Sequence, residues 1–173
     1  MQGDGISPNA VSFLCTLKVC GNYGILEVGK EMYAMIVMNG FETDVSVCNA
    51  LINMYVKCGS LAEAWRVFDT MTLQNTISWN TLISVCVKHG LDQEALNIFD
   101  EMQMQGQNPD TVTFLNIFKA CGGLGALDMG REIHMKLRRS GYELESSLSN
   151  SLISMYAKCG SVVEAQAIFD RLQ

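Results

Sequence analysis

Small and bulky apolar residues recur along the chain in a fixed order. At five places a glycine or alanine is followed three and four residues later by larger side chains, as Ala64 is by Val67 and Phe68. The small residues are Gly29, Ala64, Ala95, Gly130 and Ala165. This spacing places the residues on one helix face, where the small side chain lets a second helix approach closely. The pattern therefore predicts five amphipathic helices, here called the B helices.

Another apolar run precedes each B helix and ends at a glycine, these glycines being Gly24, Gly59, Gly90, Gly125 and Gly160. Glycine at this point is typical of a left-handed helix end, because it adopts positive φ without steric cost. We therefore predict five A helices, over 11–21, 46–58, 77–89, 112–122 and 147–159. Ser60 and Ser161 are each followed by a glutamate three residues later, Glu63 and Glu164, which predicts capping boxes there.

The sequence aligns with itself after a shift of 101 residues, which carries Asn49 onto Asn150 and Asp69 onto Asp170. The alignment divides the chain into repeats of one A and one B helix each. Their boundaries are 1–9 (the end of a preceding repeat), 10–44, 45–75, 76–110, 111–145 and 146–173. The predicted fold is all-α, an α-solenoid of stacked helix-turn-helix repeats. Both ends are expected to lie within repeats of a longer array, so weak end-to-end association is expected as well.

Composition excludes several classes of protein. The chain is 49% hydrophobic and 17% charged, which suits an ordered fold, and no apolar run is long enough to predict a membrane span. Seven cysteines without a C-x-x-C pair predict neither a zinc site nor a disulfide framework. His89 and His134 have no carboxylate or cysteine at ligand spacing. We therefore expect no metal, no cofactor and no catalytic site.

Charge is divided unequally between the two kinds of helix. The formal net charge is −6, which for the whole chain argues against a polyanion partner. All 18 acidic residues, however, lie in the B helices or connectors. Each A helix carries one lysine, and these are Lys18, Lys57, Lys88, Lys119 and Lys158. Such a row suits one phosphate contact per repeat; the alternative is that each lysine complements a helix dipole.

Several motifs resemble one known family. They are Tyr-x-Lys-Cys-Gly-Ser, F-D-x-M and E-M-x-x-x-G-x-x-P-D, combined with repeat lengths of 35, 31 and 35 residues. The chain resembles pentatricopeptide repeats of the PLS subclass, in the order L-S-P-L-S. The resemblance implies single-stranded RNA bound along the A helices, one nucleotide per repeat, as the site-recognition part of a cytidine-to-uridine editing factor in chloroplasts or mitochondria. The deaminase motifs H-x-E and P-C-x-x-C are absent, so this chain is not expected to be an enzyme.

The resemblance also implies which residues read bases, namely the fifth and the last of each repeat. The pairs are Leu14 with Asp44, Asn49 with Asn75, Asn80 with Asp110, and Leu115 with Glu145, and Asn150 is the fifth residue of the final repeat. Asparagine both donates and accepts hydrogen bonds, whereas leucine does neither, so the L repeats should add little specificity. The alternative for the fifth-position asparagines is helix N-capping. The second residues Val11, Ile77 and Val112 are expected to sandwich bases, a role that Ser46 and Ser147 fit less well.

Three further interpretations stay open at this point. A tetratricopeptide-like scaffold would hold a peptide in its groove, but it would need no regular row of lysines. The L repeats are the positions where the resemblance implies docking of small organellar editing-factor proteins. Trp65 and Trp79 could stack on bases, although Trp79 is adjacent to Asn80 and so points off the asparagine face, which favours core packing.

Overall fold

The computed structural model describes residues 8–71, 74–139 and 146–172. Within these ranges it contains ten α-helices, one short 3-10 helix at Asp170–Leu172 and no strand, which confirms the all-α prediction. The helices are α1 (Ala10–Tyr23), α2 (Leu26–Met38), α3 (Val45–Lys57), α4 (Leu61–Thr70), α5 (Thr76–Lys88), α6 (Asp92–Met104), α7 (Thr111–Leu124), α8 (Leu127–Arg139), α9 (Ser146–Lys158) and α10 (Val162–Phe169). Odd-numbered helices are the A helices and even-numbered helices are the B helices.

The chain forms two compact bodies, residues 1–81 and 82–173, with the boundary inside α5. In the N-terminal body, α1 contacts both α2 and α3, and α3 contacts α4. In the C-terminal body, α7 contacts α6, α8 and α9, and α9 contacts α10. In each body an A helix therefore lies between its own B helix and the A helix of the neighbouring repeat, which is how stacked helical hairpins bury a continuous core.

The bulky residues of the B-helix stripe are buried in α4 and α6, whereas Phe169 of α10 is 47% exposed. Val67 and Phe68 of α4 are 2% and 1% exposed, and Ile98 and Phe99 of α6 are 1% and 2% exposed. The small residues leave room for a side chain of the adjacent helix. A Cβ on Gly29 would lie 2.5 Å from the sulfur of Met54 in α3. The methionine therefore occupies the space that a side chain would need.

Each A helix ends at the predicted glycine, and all five of these glycines have positive φ. At the end of α3, Gly59 has φ of 76°. The amide of Ser60 donates to the carbonyl of Tyr55 at 2.8 Å, and that of Gly59 donates to Val56 at 2.9 Å. This pair of hydrogen bonds is the Schellman arrangement that a left-handed terminal residue permits.

The predicted capping boxes of two B helices are wrong. Ser60 and Ser161 precede α4 and α10, but neither side chain bonds to the helix backbone. Ser161 Oγ donates to the carboxylate of Glu164, which also accepts from Arg131 of α8. Glu63 is likewise held by an arginine one turn along α4. The amides of Ser60 and Ser161 donate instead to the carbonyls of Tyr55 and Tyr156, at 2.8 Å each, so neither amide is left for a glutamate to cap.

No helix in the described ranges is long and apolar enough to cross a membrane.

The tryptophans pack as the sequence favoured. Trp79 is 1% exposed, and its ring centroid lies 4.6 Å from that of Phe68 and 6.2 Å from that of Trp65. Both contacts are edge-to-face, the geometry that aromatic quadrupoles prefer. Trp79 is therefore part of the core of the N-terminal body.

Candidate nucleic-acid interface

The last residue of a repeat caps the A helix that follows it. Asp44 Oδ1 accepts from the amides of Ser46 and Val47 at 2.9 and 3.0 Å. Asn75 Oδ1 accepts from the amide of Ser78 at 3.1 Å. These bonds satisfy amides at the start of a helix that would otherwise lack a partner.

The cap of α7 is reciprocal. Asp110 Oδ1 accepts from the amide of Thr113 at 2.9 Å, and the Thr113 hydroxyl accepts from the amide of Asp110 at 3.1 Å. This role was not predicted from the sequence, although aspartate and asparagine are preferred residues at the N-cap of a helix. Glu145, the corresponding residue of the next repeat, lies outside the described residues.

The fifth-position asparagines do not cap helices. Asn49, Asn80 and Asn150 lie in the second turn of α3, α5 and α9, so the N-capping alternative for them is wrong. Asn150 is exposed and Asn49 is half-buried. Asn49 Oδ1 is buried without a hydrogen-bond partner in the described part of the chain, and such an acceptor gains from a donor. Asn80 is only 8% exposed, so little of its amide is accessible.

The second residues of three repeats are apolar and project into solvent. Val11 and Ile77 are each 65% exposed, and Val112 is 49% exposed. Ser46 and Ser147, which take this position in two other repeats, are also exposed. The exposed β-branched side chains at the start of α1, α5 and α7 give each of these helices an apolar surface on which a base could lie.

A groove of about 280 Å³ runs between α7 and α9 in the C-terminal body. It brings together four residues that the sequence analysis singled out, namely Leu115, Lys119, Asn150 and Lys158. The fifth residues of two repeats and their lysines thus share one concave surface. The groove is also lined by residues that the sequence analysis missed or gave less weight, which are Phe118, Ser147, Ser151, Ser154 and Met155.

The serines form a stripe along α9. Ser147, Ser151 and Ser154 are spaced by four and three residues, which places them on one helix face together with Asn150. The hydroxyl of Ser151 donates to the carbonyl of Leu115 across the groove at 3.4 Å. The helical spacing was a signal available in the sequence, but serine alone does not indicate a site. The α9 side of the groove is therefore largely polar beside Asn150, whereas the α7 side contributes Leu115 and Phe118.

The lysines of the A helices form no ion pairs in the described ranges. Four cations of the B helices do form such pairs, and these are Lys30, Arg66, Arg131 and Lys136. None of the A helices contains an acidic residue. The positive charge of the A helices is therefore available to an anion, while most of that on the B helices is already neutralised.

The helix-dipole alternative accounts for only part of the lysine row. Lys57, Lys88 and Lys158 lie in the last turn of their helices. Lys18 and Lys119 lie outside the last turn of α1 and α7. Because the dipole effect falls off within one turn, it does not explain the last two.

Two lysines have polar neighbours that the sequence did not predict. Lys57 Nζ donates to Asn22 Oδ1 of α1 at 2.9 Å. In the C-terminal body, the Asp92 carboxylate lies over Gly123. Burial raises the pKa of Asp92, and the positive charge of Lys158 partly lowers it again. Asp92 begins α6, so a B helix brings one acid close to the lysine row although the A helices contain none.

Family models match more than half of the chain. A model of the PPR repeat family matches residues 74–123, and a PPR repeat model matches residues 46–75 and 148–173. Two chloroplastic pentatricopeptide repeat-containing proteins of Arabidopsis thaliana are 36% and 38% identical to the chain over 98% of its length. A mitochondrial one from the same plant is 38% identical over 99%. The chain spans about a fifth of the length of these relatives, covering 21%, 20% and 19% of them.

Solved structures share the fold. The crystal structure of the pentatricopeptide repeat protein PPR10 from maize superposes with a TM-score of 0.79 over 96% of this chain and 25% of its own, at 20% identity. PPR10 in complex with an 18-nucleotide psaJ RNA element gives a TM-score of 0.55 over 97% of this chain and 30% of its own, at 16% identity. These likenesses confirm the predicted α-solenoid class.

Proposed function

Because the chain belongs to the pentatricopeptide repeat family, we propose that it binds single-stranded RNA along its A helices, one nucleotide opposite each repeat. The observation that carries this proposal is the contrast between the two sets of helices. Lysines of the A helices form no ion pair in the described ranges, although Asp92 lies near Lys158, whereas four cations of the B helices do form ion pairs. A chain of net charge −6 thus keeps positive charge on its A helices that is not engaged in ion pairs within the described ranges. The RNA seen with the structurally similar PPR10 supports the same reading.

In this proposal the lysines contact phosphates and the fifth and last residues select bases. The repeats are assigned as L (10–44), S (45–75), P (76–110), L (111–145) and S (146–173). Asparagines in the S and P repeats hydrogen-bond to base edges, while Leu14 and Leu115 make only apolar contact. The second residues Val11, Ile77 and Val112 sandwich the bases. The exposure of these three side chains supports the last assignment.

We propose that this chain is the site-recognition part of an organellar editing factor. The support is the repeat pattern of the sequence, together with relatives whose names place them in chloroplasts or mitochondria. The chain has the properties of a binding array, so its role in such a factor is to select the RNA rather than to catalyse the change.

A second candidate role is protein docking at the L repeats. Tyr23 and Met38 in the first L repeat are 78% and 85% exposed. Exposed large apolar side chains favour a partner protein on this repeat, and the small editing-factor proteins implied by the resemblance are the candidates. Met38 ends a B helix, so a partner bound there would leave the A helices accessible to RNA, whereas Tyr23 ends the A helix α1.

Fluorescence anisotropy with a labelled RNA would test the main proposal. The single strand should bind, and the logarithm of its affinity should fall linearly with the logarithm of salt concentration. The same RNA annealed to its complement should bind much more weakly, because its base edges are paired. Equal affinity for the strand and the duplex, or no salt dependence, would contradict the proposal.

A further inference from the structure

Two lysines of the row occupy equal positions in their repeats but have different neighbours. Lys57 is the last residue of α3, and Lys158 is the last residue of α9. The 101-residue shift carries Lys57 onto Lys158, and it carries Asn22 of α1 onto Gly123 of α7. The N-terminal body therefore has an amide side chain at a position where the C-terminal body has no side chain.

A neutral side chain holds Lys57 in place. Its Nζ atom donates to Asn22 Oδ1 at 2.9 Å, which joins the end of α3 to the end of α1. The aliphatic stem rests on Gly21, where a Cβ would stand 3.1 Å from Lys57 Cδ. The amide is uncharged, so it does not neutralise the ammonium group. An ammonium group has three N–H donors, and two of them remain for another acceptor.

An acidic side chain approaches Lys158 instead. A Cβ on Gly123 would collide with the carboxylate of Asp92, which therefore occupies the space that a side chain there would need. The stem of Lys158 rests on the adjacent Gly122, where a Cβ would lie 3.2 Å from its Cδ atom. Two consecutive glycines of α7 thus bring the acid and the lysine close together. No ion pair joins the two side chains within the described ranges.

The acid is a local feature of its repeat. Asp92 is the seventeenth residue of the repeat 76–110, and the other four repeats have an apolar residue at that position, namely Leu26, Leu61, Leu127 and Val162. Glu94 already places an acid in the first turn of α6, where it complements the helix dipole. The requirements of helix α6 therefore do not explain why position 92 is an aspartate.

The bond between Asn22 and Lys57 contributes little to the packing of α1 on α3. Leu17 of α1 and Leu51 of α3 are both 0% exposed and belong to the core of the N-terminal body. Asn22 is exposed, and exposed polar pairs add little to stability. The main effect of the bond is therefore on the position of the ammonium group.

We propose that Asn22 and Asp92 make these two lysines unequal as phosphate contacts. Asn22 is a positioning residue, which holds the ammonium group of Lys57 without reducing its charge. Asp92 weakens the contact at Lys158, because a carboxylate lowers the positive potential around the ammonium group and repels a phosphate. The inference rests on the proposed RNA function and identifies residues that regulate its phosphate contacts. RNA is held more firmly at the end of α3 than at the end of α9.

Fluorescence anisotropy with a labelled single-stranded RNA tests the role of Asn22. Asn22→Ala should weaken RNA affinity by about threefold, and Asn22→Asp should weaken it more because it places an acid beside Lys57. In a chain that already carries Lys57→Ala, Asn22→Ala should have no further effect, since Asn22 acts through that lysine. Asn97→Ala is the matched control. It removes an exposed amide that bonds to Gln93 within α6, and it should leave RNA affinity unchanged.

The role of Asp92 is tested in the opposite direction. Asp92→Asn keeps the shape of the side chain and should tighten RNA binding by about threefold at about 0.1 M salt. Asp100→Asn makes the same charge change about two turns further along α6. That distance is close to the Debye length of about 10 Å at this salt concentration, so its effect should be smaller. Circular dichroism would check that every variant keeps its helices.

The same measurements separate this inference from the RNA function on which it rests. The inference is overturned if Asn22→Ala leaves RNA affinity unchanged, or if it weakens binding equally with and without Lys57. An effect of Asp92→Asn no larger than that of Asp100→Asn would overturn it as well. Those results would leave RNA binding by the lysines intact. A chain whose RNA affinity responds to neither Lys57→Ala nor Lys158→Ala would overturn both the inference and the phosphate contacts of the proposed function.

Discussion

The aliphatic stem of Lys57 lies against Gly21, where α3 packs on α1. A Cβ on Gly21 would stand 3.1 Å from Lys57 Cδ and 3.2 Å from the backbone Cα of Met54. The same arrangement recurs in the C-terminal body, where Lys158 lies against Gly122. A glycine in one A helix thus lets the lysine of the next lie along it, and this places the ammonium group of Lys57 beside Asn22.

Gly21→Ala should destabilise the chain by about 1 kcal/mol. Overpacking typically costs about 1 to 3 kcal/mol, and the higher helix propensity of alanine offsets about 1 kcal/mol of that cost. Gly122→Ala is the matched comparison: its Cβ would lie 3.2 Å from the flexible Lys158 stem but 3.4 Å from the Met155 backbone, an ordinary contact, so its cost should be smaller than that of Gly21→Ala. Urea denaturation followed by circular dichroism measures both. Equal destabilisation by the two substitutions would contradict the packing difference.

Replacing Lys57, Lys88 and Lys158 by alanine should weaken binding to every single-stranded RNA alike. The slope of log affinity against log salt should flatten by about two, at roughly 0.7 per lost phosphate contact on a single strand. Lys30→Ala removes a lysine that is paired with Glu27 at 3.0 Å and should change neither quantity. An unchanged slope in the triple variant would assign those lysines to helix ends instead.

Asn75 has a structural role and a proposed reading role that substitution can separate. Asn75→Ala removes the acceptor that caps α5 and should cost about 1 kcal/mol of stability. Asn75→Asp keeps the acceptor and should alter stability by only a few tenths of a kcal/mol. The pairing that the family resemblance implies gives a second expectation for Asn75→Asp. The RNA base preferred opposite Asn49 should change from either pyrimidine to uridine alone. If Asn75→Asp proved as unstable as Asn75→Ala, the capping role would have to be abandoned.

Asn80 should select uridine at its position by about 1 to 3 kcal/mol, an expectation taken from base readout in DNA. The measurement compares RNAs that differ only opposite Asn80, with the register fixed inside a longer array of known target. Asn80→Thr should shift the preference towards guanosine, as the resemblance implies. Asn80 is 8% exposed. Equal binding of all four bases would therefore show that its amide stays buried and does not select a base.

The stability of the C-terminal body should depend on pH through Glu164. Hydrogen bonds from Ser161 and Arg131 hold the pKa of this carboxyl down to about 2, from an ordinary value of 4.5. A depressed folded-state pKa means that the stabilisation is complete above the ordinary value and is lost as pH falls towards 2. The stability difference between the unmodified chain and Glu164→Gln should therefore be constant at neutral pH and shrink below about pH 4.5. A difference that is independent of pH down to 2 would contradict this.

The helices follow from local sequence alone. Glycine at the end of an apolar run marks each A helix, because positive φ is a property of the residue itself. The spacing of three and four likewise places the small and bulky residues of the B helices on one face without knowledge of their neighbours. The row of lysines could be predicted for the same reason, because residues at the same position of each repeat lie on the same face of its A helix.

Contacts between helices decided what the local pattern could not. Glu63 and Glu164 have the spacing of capping residues, but the amides they would cap donate to backbone carbonyls of the preceding A helices, and both carboxylates pair with arginines. Asp92 lies beside Lys158 because packing brings the start of a B helix to the end of an A helix two repeats away along the chain. The serine wall of the α7–α9 groove exists only when the two helices pack. Hydrogen bonding and charge act between neighbours in space, and repeat spacing alone does not determine which side chains become neighbours.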